Sequence, residues 1–98
     1  MRELCLSELA ERELTDIWCY TFGRWGPAQA DRSLEELDQG FARLAADASI
    51  GADRQGVRNG YRVLFINRHA VYYKVRAREM EIIRVLHGQM DPEIHLPS

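Results

Sequence analysis

Cysteine, proline and long apolar runs are all scarce in this chain of 98 residues, which contains two cysteines and three prolines. The two cysteines form no CxxC pair and do not amount to a disulfide framework, so we expect reduced thiols and a cytoplasmic location. No apolar run approaches the length of about 18 residues that spans a bilayer, and residues 1–13 contain no apolar signal segment. We therefore expect neither a membrane anchor nor a secretion signal.

Sequence motifs of the common cofactor and catalytic sites are missing as well. The chain has no P-loop and no dinucleotide-binding glycine fingerprint, and its four serines lie in no nucleophile elbow. The spacing of His69, His87 and His95 fits no zinc-binding pattern. We expect no metal and no cofactor. The length predicts one domain over residues 1–98, with a short C-terminal tail at 88–98.

Acidic residues are absent from residues 54–78, where seven arginines and lysines give a net charge of +7. The preceding residues 1–53 carry a net charge of −6, and the following residues 79–98 a net charge of −3. A basic block of this kind favours an anionic partner, either nucleic acid or an acidic peptide. The alternative is a sheet whose outer face carries arginines that pair with acidic helices.

Apolar residues recur at helical spacing in the first half of the chain. After a predicted short strand at residues 2–6, Ser7 is a typical N-cap for an amphipathic helix over residues 8–24. Pro27 suits the first turn of a second helix, which begins there. The apolar stripe of the second helix is Ala30, Leu34, Leu37, Phe41 and Leu44. Because only a few residues separate the two helices, we predict an antiparallel helical hairpin.

The apolar period changes to two in the second half, after a polar loop that we predict at residues 47–59. Three β-branched and aromatic runs, at residues 60–66, 69–75 and 80–86, predict three strands joined by short turns. The order β-α-α-β-β-β predicts an α+β fold, in which a helical hairpin packs on a small antiparallel sheet.

The segment RVLHGQMD, which ends the last predicted strand, brings an arginine, a histidine and an aspartate close together. Our hypothesis is that Arg84, His87 and Asp91 lock the C-terminal tail against the sheet. The alternative for Arg84 is an ion pair with Asp91 or with an acid on a helix. Strict alternation along the strand predicts that Arg84 shares one face with Ile82 and Leu86.

These features resemble the ParE toxins of the RelE/ParE superfamily, which belong to type II toxin–antitoxin systems. The residues that carry the resemblance are GYR at 60–62, His69, YY at 72–73, IIRVLHGQMD at 82–91 and HL at 95–96. The resemblance covers nearly the whole chain, and it implies the same arrangement of a helical hairpin on a small sheet.

The resemblance also implies a function. ParE-like toxins poison DNA gyrase, stop replication and stabilise plasmids or chromosomal segments. The implied partner is a ParD-like antitoxin, which dimerises through a ribbon-helix-helix domain and wraps the toxin with its C-terminal segment. Two toxins with two antitoxins is the expected stoichiometry, and operator DNA is contacted only through the antitoxin.

Two candidate surfaces follow from the resemblance. Toxicity or target binding is expected at Arg54, Arg58, Arg62, Arg84 and His87. An apolar antitoxin helix is expected in the groove between the hairpin and the sheet. The residues expected to bind it are Trp18, Phe22, Leu37, Phe41 and Tyr73.

A rival within the superfamily is the ribosome-dependent mRNA endonuclease of the RelE type, for which Arg62 and His87 would be the catalytic residues. Residues 88–91 are not basic, although basic residues follow in those nucleases, and the tail has no counterpart of their catalytic tyrosine. We therefore favour a toxin that is not an enzyme. A third interpretation is a degenerate toxin that only helps the antitoxin repress its operon.

Overall fold

A computed structural model of the chain describes residues 3–53 and 61–87. In chain order, its elements are β1 (Glu3–Leu6), α1 (Glu8–Trp25), α2 (Pro27–Ala46), a 3₁₀ turn (Ala48–Ile50), β2 (Ala52–Asp53), β3 (Arg62–Ile66), β4 (His69–Val75) and β5 (Glu79–His87). Two helices beside one sheet make the α+β fold that the sequence predicts. Neither helix in these two ranges is long and apolar enough to cross a membrane.

The ends of the two helices are set by residues with clear conformational preferences. The Ser7 hydroxyl caps α1 by accepting a hydrogen bond from the backbone N–H of Ala10 at 3.0 Å. The same hydroxyl donates to the carbonyl of Ile83 at 2.6 Å, so the cap also joins the start of α1 to β5. Gly26 ends α1 with a φ of 89°, a conformation that favours glycine, and Pro27 begins α2.

The sheet has five strands in the order β1-β5-β4-β3-β2. The strands β3, β4 and β5 form the antiparallel meander that the sequence predicts. However, β1 pairs with β5 in parallel, with Leu6 opposite Ile82, so the sheet is mixed rather than antiparallel throughout. A parallel pair needs a long connection, and the chain between β1 and β5 supplies it because it includes both helices. The short strand β2 lies within the stretch that was predicted as a loop.

A β-bulge shifts the pairing of β4 with β5. Tyr72 lies opposite Arg84, but its neighbour Tyr73 lies opposite Ile82, so Ile83 is an extra residue in β5. One extra residue changes which side chains share a face, because the side chains of a strand alternate with a period of two.

Two buried clusters of apolar side chains surround the sheet. The cluster that includes both helices comprises Ala10, Leu37, Phe41, Leu44, Ala48, Ile66, Val71, Tyr73, Met80, Ile82 and Val85. The other cluster comprises Tyr61, Val63, Ala70, Tyr72, Ile83 and Leu86. Ile82 therefore clusters with Val85, and Ile83 with Leu86. The prediction of strict alternation, with Ile82 and Leu86 on one face, was wrong because the bulge interrupts it.

Candidate functional site

A groove of about 980 Å³ opens between α1, α2 and the turn that joins β3 to β4. Its floor includes Leu37 and Val85, which are almost fully buried. At its mouth, the side chains of Tyr20 and Trp25 from α1 are 64% and 69% exposed. The volume is at the upper end for small-molecule sites, and exposed aromatic side chains are typical of a surface that a protein partner covers.

Charged residues line the same groove on two sides. On α1, Asp16, Tyr20 and Arg24 recur every four residues, so they lie along one line of the helix. The guanidinium carbon of Arg24 lies 5.5 Å from the centroid of the Tyr20 ring, in a cation–π contact. On α2, Glu36 accepts a hydrogen bond from the side-chain amide of Asn67 in the β3–β4 turn. The groove therefore combines an apolar floor with charges of both signs at its rim.

Trp18 and Phe22 form a second aromatic surface, where α1 meets α2. Their rings stack with centroids 5.0 Å apart and planes inclined by 25°. The indole N–H of Trp18 donates a hydrogen bond to the carboxylate of Asp31 on α2 at 3.0 Å, and Phe22 is 46% exposed. Both aromatic residues were predicted to bind an antitoxin, and of the two Phe22 is exposed whereas Trp18 is partly buried.

The other three residues of that predicted set, Leu37, Phe41 and Tyr73, lie in the core, where none is more than 4% exposed. The Tyr73 hydroxyl is satisfied within the chain, since it donates to the carbonyl of Ala48 at 2.7 Å and accepts from the backbone N–H of Gly51 at 3.1 Å. Phe22 therefore offers exposed surface to a partner, whereas Leu37 can be reached only at the floor of the groove, which Phe41 and Tyr73 do not line.

Arg62 was a candidate for toxicity or catalysis. In the structure, its side chain binds the connection between α2 and β3. One terminal nitrogen of its guanidinium donates to the carbonyls of Gly51 at 2.6 Å and Ser49 at 3.3 Å. Its Nε is buried and has no hydrogen-bond partner among the described residues. The backbone at position 51 is tightly enclosed, because a Cβ there would collide with the Tyr73 hydroxyl and lie 2.8 Å from the Val63 carbonyl oxygen. Arg62 and Tyr73 together hold this connection in place.

Arg84 forms an ion pair with Glu13 on α1, so the predicted alternative of a helix acid is confirmed. Its Nε and one terminal nitrogen donate to one carboxylate oxygen at 2.9 and 2.6 Å. The other carboxylate oxygen accepts the backbone N–H of Val85 at 2.9 Å. Since β1 ends at Leu6, opposite Ile82, the Glu13 carboxylate takes the place of a strand partner at this edge of β5.

Four predicted site positions are not tested by these contacts. Arg54, Arg58 and Asp91 lie outside the described residues, and of His87 only the backbone is described, at the end of β5 opposite His69. Tail locking by Asp91 and target binding at the two arginines therefore stay predictions. Within the two described ranges, no three His, Cys, Asp or Glu side chains are grouped as a metal site would need.

The described part of the basic block at residues 54–78 makes contacts within the sheet. The Lys74 ammonium lies 4.6 Å from the centroid of the Tyr61 ring. Arg76 forms an ion pair with Glu81 at 3.2 Å, and both of these side chains are partly exposed to solvent. The acid in this pair comes from β5, whereas the sequence-based alternative placed the neutralising acids on the helices.

The sequence reasoning missed three residues that the structure places at the groove: Tyr20, Arg24 and Glu13. The four-residue spacing of Asp16, Tyr20 and Arg24 is a signal that could have found the first two. Glu13 is different, because its contact with Arg84 joins residues 71 positions apart. A single sequence carries no signal for such a pair.

Comparison with known proteins gives a consistent result. The family model described as the ParE toxin of the type II toxin-antitoxin system, parDE, matches residues 4–92. Toxin ParE1 of Mycobacterium tuberculosis is 38% identical over 92 residues, which cover 93% of this chain and 94% of that protein. Toxin ParE1 of Caulobacter vibrioides is 38% identical over 96 residues, which cover 98% of this chain and 99% of that protein.

Two further matches extend the comparison. Toxin ParE of Escherichia coli is 35% identical over 92 residues, which cover 93% of this chain and 89% of that protein. Among solved structures, a chain of the chromosomal ParDE TA system from P. aeruginosa matches with a TM-score of 0.78 and 22% identity. The match covers 89% of this chain and 96% of that chain, and at this identity it shows a shared fold.

Proposed function

This chain belongs to the ParE toxin family of type II toxin–antitoxin systems, and we propose that it poisons DNA gyrase and is neutralised by a ParD-like antitoxin. The observation that carries the antitoxin half of the proposal is the aromatic surface at the end of α1. Tyr20 and Trp25 are 64% and 69% exposed, at the mouth of a groove with an apolar floor. A second protein that covered these side chains would remove a large apolar area from water.

The hydrogen bonds of Arg62 support a toxin that poisons gyrase over one that cleaves mRNA. In an mRNA endonuclease, this arginine would have to stabilise a phosphate during cleavage. Here its guanidinium donates to two backbone carbonyls, so a phosphate would have to compete with the connection that the arginine holds. Removing Arg62 from that connection would also leave two backbone acceptors without this donor.

The experiment that tests the target is supercoiling of relaxed plasmid by gyrase in the presence of the purified chain. A parallel reaction contains translating ribosomes with a reporter mRNA. We expect inhibited supercoiling or trapped linear DNA, together with intact mRNA. Cleaved mRNA with unaffected gyrase would overturn the proposal in favour of a nuclease that uses Arg62 and His87.

The surface that carries toxicity is proposed to include Arg54 and Arg58. We expect the Arg54→Glu/Arg58→Glu variant to relieve growth arrest, because two positive charges at the target surface become negative. Arg62 stays unchanged in this variant, since its substitution would also disturb the connection between α2 and β3.

A matched control for this variant is Arg12→Glu/Arg32→Glu. It makes the same change in net charge at exposed positions of the two helices, and neither residue lines the groove. The control should arrest growth as the wild type does. Undiminished arrest by the Arg54→Glu/Arg58→Glu variant, at an equal level of soluble protein, would refute this toxic surface.

A degenerate toxin that only assists repression is distinguished by induced expression without any antitoxin. We expect growth arrest under these conditions, and rescue when a ParD-like antitoxin is produced from a second plasmid. Normal growth in the presence of soluble, folded chain would contradict an active toxin and leave the co-repressor interpretation.

A further inference from the structure

We infer that the groove takes a helical segment of the antitoxin that carries one acidic and one basic residue about two turns apart, the acid against Arg24 and the base against Asp16. The inference rests on the proposed function, because it names the chemistry of the segment that binds there. It is carried by the separation of the two charges on α1, by the lack of an ion pair at either of them and by the apolar surface between them.

The two charges are held at a fixed distance along α1. Asp16 and Arg24 are eight residues apart, and an α-helix rises 1.5 Å per residue, so they are separated by roughly 12 Å along the axis. Tyr20 lies midway, four residues from each charge, and its ring contacts the Arg24 guanidinium. The α1 wall of the groove is therefore negative at one end, aromatic in the middle and positive at the other end.

Both charges are available to a partner. Among the described residues, Arg24 forms no ion pair with a carboxylate, and Asp16 forms none with a cation. The other acids of the groove already have partners, since Glu13 binds Arg84 and Glu36 accepts a hydrogen bond from the β3–β4 turn. Asp16 and Arg24 are thus the charges of α1 that a bound segment can pair with.

The surface between the charges suits an apolar helix face. Ile17 and Tyr20 line the groove beside the charged line, and Leu37 and Val85 close its floor. A helix that packs beside α1 and α2 would place apolar residues at three- and four-residue spacing over this floor. The acidic and basic residues of the bound helix, seven or eight positions apart, would then reach the two ends of the α1 wall.

Charge complementarity also accounts for a fixed direction of binding. A segment that lies in the groove the other way round would bring its acid to Asp16 and its base to Arg24. Like charges brought together at an interface disfavour the wrong arrangement. The two charges of the α1 wall would therefore favour one of the two orientations of the bound helix.

The test measures binding of a synthetic peptide, the C-terminal segment of the cognate ParD-like antitoxin, to the purified full chain by calorimetry. Asp16→Arg and Arg24→Glu should each weaken binding roughly five- to thirtyfold, because each places like charges in contact. Arg32→Glu is the matched control, since it lies on the exposed side of α2 and should leave the affinity within about twofold. Thermal melting of each variant checks that the fold is intact.

A charge-swapped peptide gives the decisive comparison. A peptide in which the acid and the base are exchanged should bind the wild type weakly and the Asp16→Arg/Arg24→Glu variant well. Restored affinity in this pairing requires direct contact between the exchanged charges, because a general loss of stability would not be rescued. Raising the salt concentration should weaken the wild-type pairing and narrow the differences between variants.

The other outcomes separate this inference from the proposed function. Equal affinity of the wild type and both charge variants would overturn the inference that Asp16 and Arg24 pair with the bound segment. It would leave the proposed antitoxin partnership intact. Failure of the wild type to bind the peptide at all would overturn the proposed partnership itself. If the chain alone sediments as a dimer that the Asp16→Arg variant dissociates, a second copy fills the groove and the inference is wrong.

Discussion

Arg62 and Arg84 each connect two elements of the fold, and we call these two contacts the joints. Arg24 and Arg68, in contrast, lie at the rim of the groove. At the joints, each guanidinium is bound inside the chain, Arg62 by backbone carbonyls and Arg84 by the Glu13 carboxylate. At the rim, neither arginine forms an ion pair among the described residues. The same side chain thus stabilises the fold in one region and stays available for a partner in the other. Substitutions at the joints should reduce stability, and substitutions at the rim should change binding.

The largest loss of stability is expected from Glu13→Ala. The variant leaves the Arg84 guanidinium without its carboxylate and the N–H of Val85 without its acceptor, at side chains that are only about one-seventh exposed. Removing one partner of a largely buried ion pair costs several kcal/mol, and partial exposure reduces this to roughly 2–3 kcal/mol. In a domain of this size the melting temperature should fall by about 10–20 °C, as measured by calorimetry.

Two further variants test the reason for that loss. Glu35→Ala removes an exposed carboxylate from α2 and should change the melting temperature by no more than a few degrees. Glu13→Gln keeps an acceptor for the Val85 N–H and should recover part of the stability. Equal melting temperatures for Glu13→Ala and Glu35→Ala would show that the Glu13 joint does not hold α1 to β5.

A second prediction compares Gly51, in the connection that Arg62 contacts, with Gly23, near the end of α1. Gly51→Ala should destabilise the chain by roughly 1–3 kcal/mol, because the new methyl group has no room beside the Tyr73 hydroxyl and the Val63 carbonyl. Gly23→Ala, near the end of α1, meets no atom within 4 Å and should stabilise the helix by about 0.5–1 kcal/mol. Chemical denaturation of the two variants measures both signs. A loss of stability in Gly23→Ala, or none in Gly51→Ala, would contradict the comparison.

A third prediction concerns the groove region, where stability and binding should respond differently. Trp25 is 69% exposed, so Trp25→Ala should change the free energy of unfolding by no more than about 0.5 kcal/mol. The same substitution should weaken antitoxin binding at least tenfold, because an aromatic side chain at the centre of an interface often carries much of its energy. Calorimetry measures both quantities on one protein. Unchanged affinity would place the antitoxin contact away from the groove mouth.

The division into helical and strand halves could be predicted from the sequence because each half repeats its apolar residues with its own period. Ser7, Gly26 and Pro27 mark helix ends for local reasons, so their roles were also within reach. The parallel pairing of β1 with β5 could not be predicted, because local periodicity does not determine which strand a short terminal segment joins. The bulge at Ile83 was missed for a related reason, because alternation alone does not predict an insertion.

The candidate site was less predictable than the fold. Aromatic stripes identify helix faces, but they do not say how far each side chain is covered, and Leu37 and Phe41 are almost fully buried. Charge counts identify the basic block, but they do not say that Arg62 is bound by carbonyls from residues 49 and 51. Both gaps come from the same limit. Burial and pairing depend on contacts between distant parts of the chain, which composition and spacing do not contain.

The smallest effect is expected in the reactivity of the two cysteines. Cys5 is partly buried, whereas Cys19 is exposed. Burial raises the pKa of the Cys5 thiol, and the Glu79 carboxylate, 3.6 Å from its Sγ, raises it further. Because the thiolate is the form that reacts, Cys5 should be alkylated several-fold more slowly than the exposed Cys19 at about pH 8. Mass spectrometry of iodoacetamide-treated chain measures both rates in one sample. Glu79→Gln should accelerate Cys5 selectively, and denaturant should make the two rates equal, whereas equal rates in the folded chain would contradict the predicted difference.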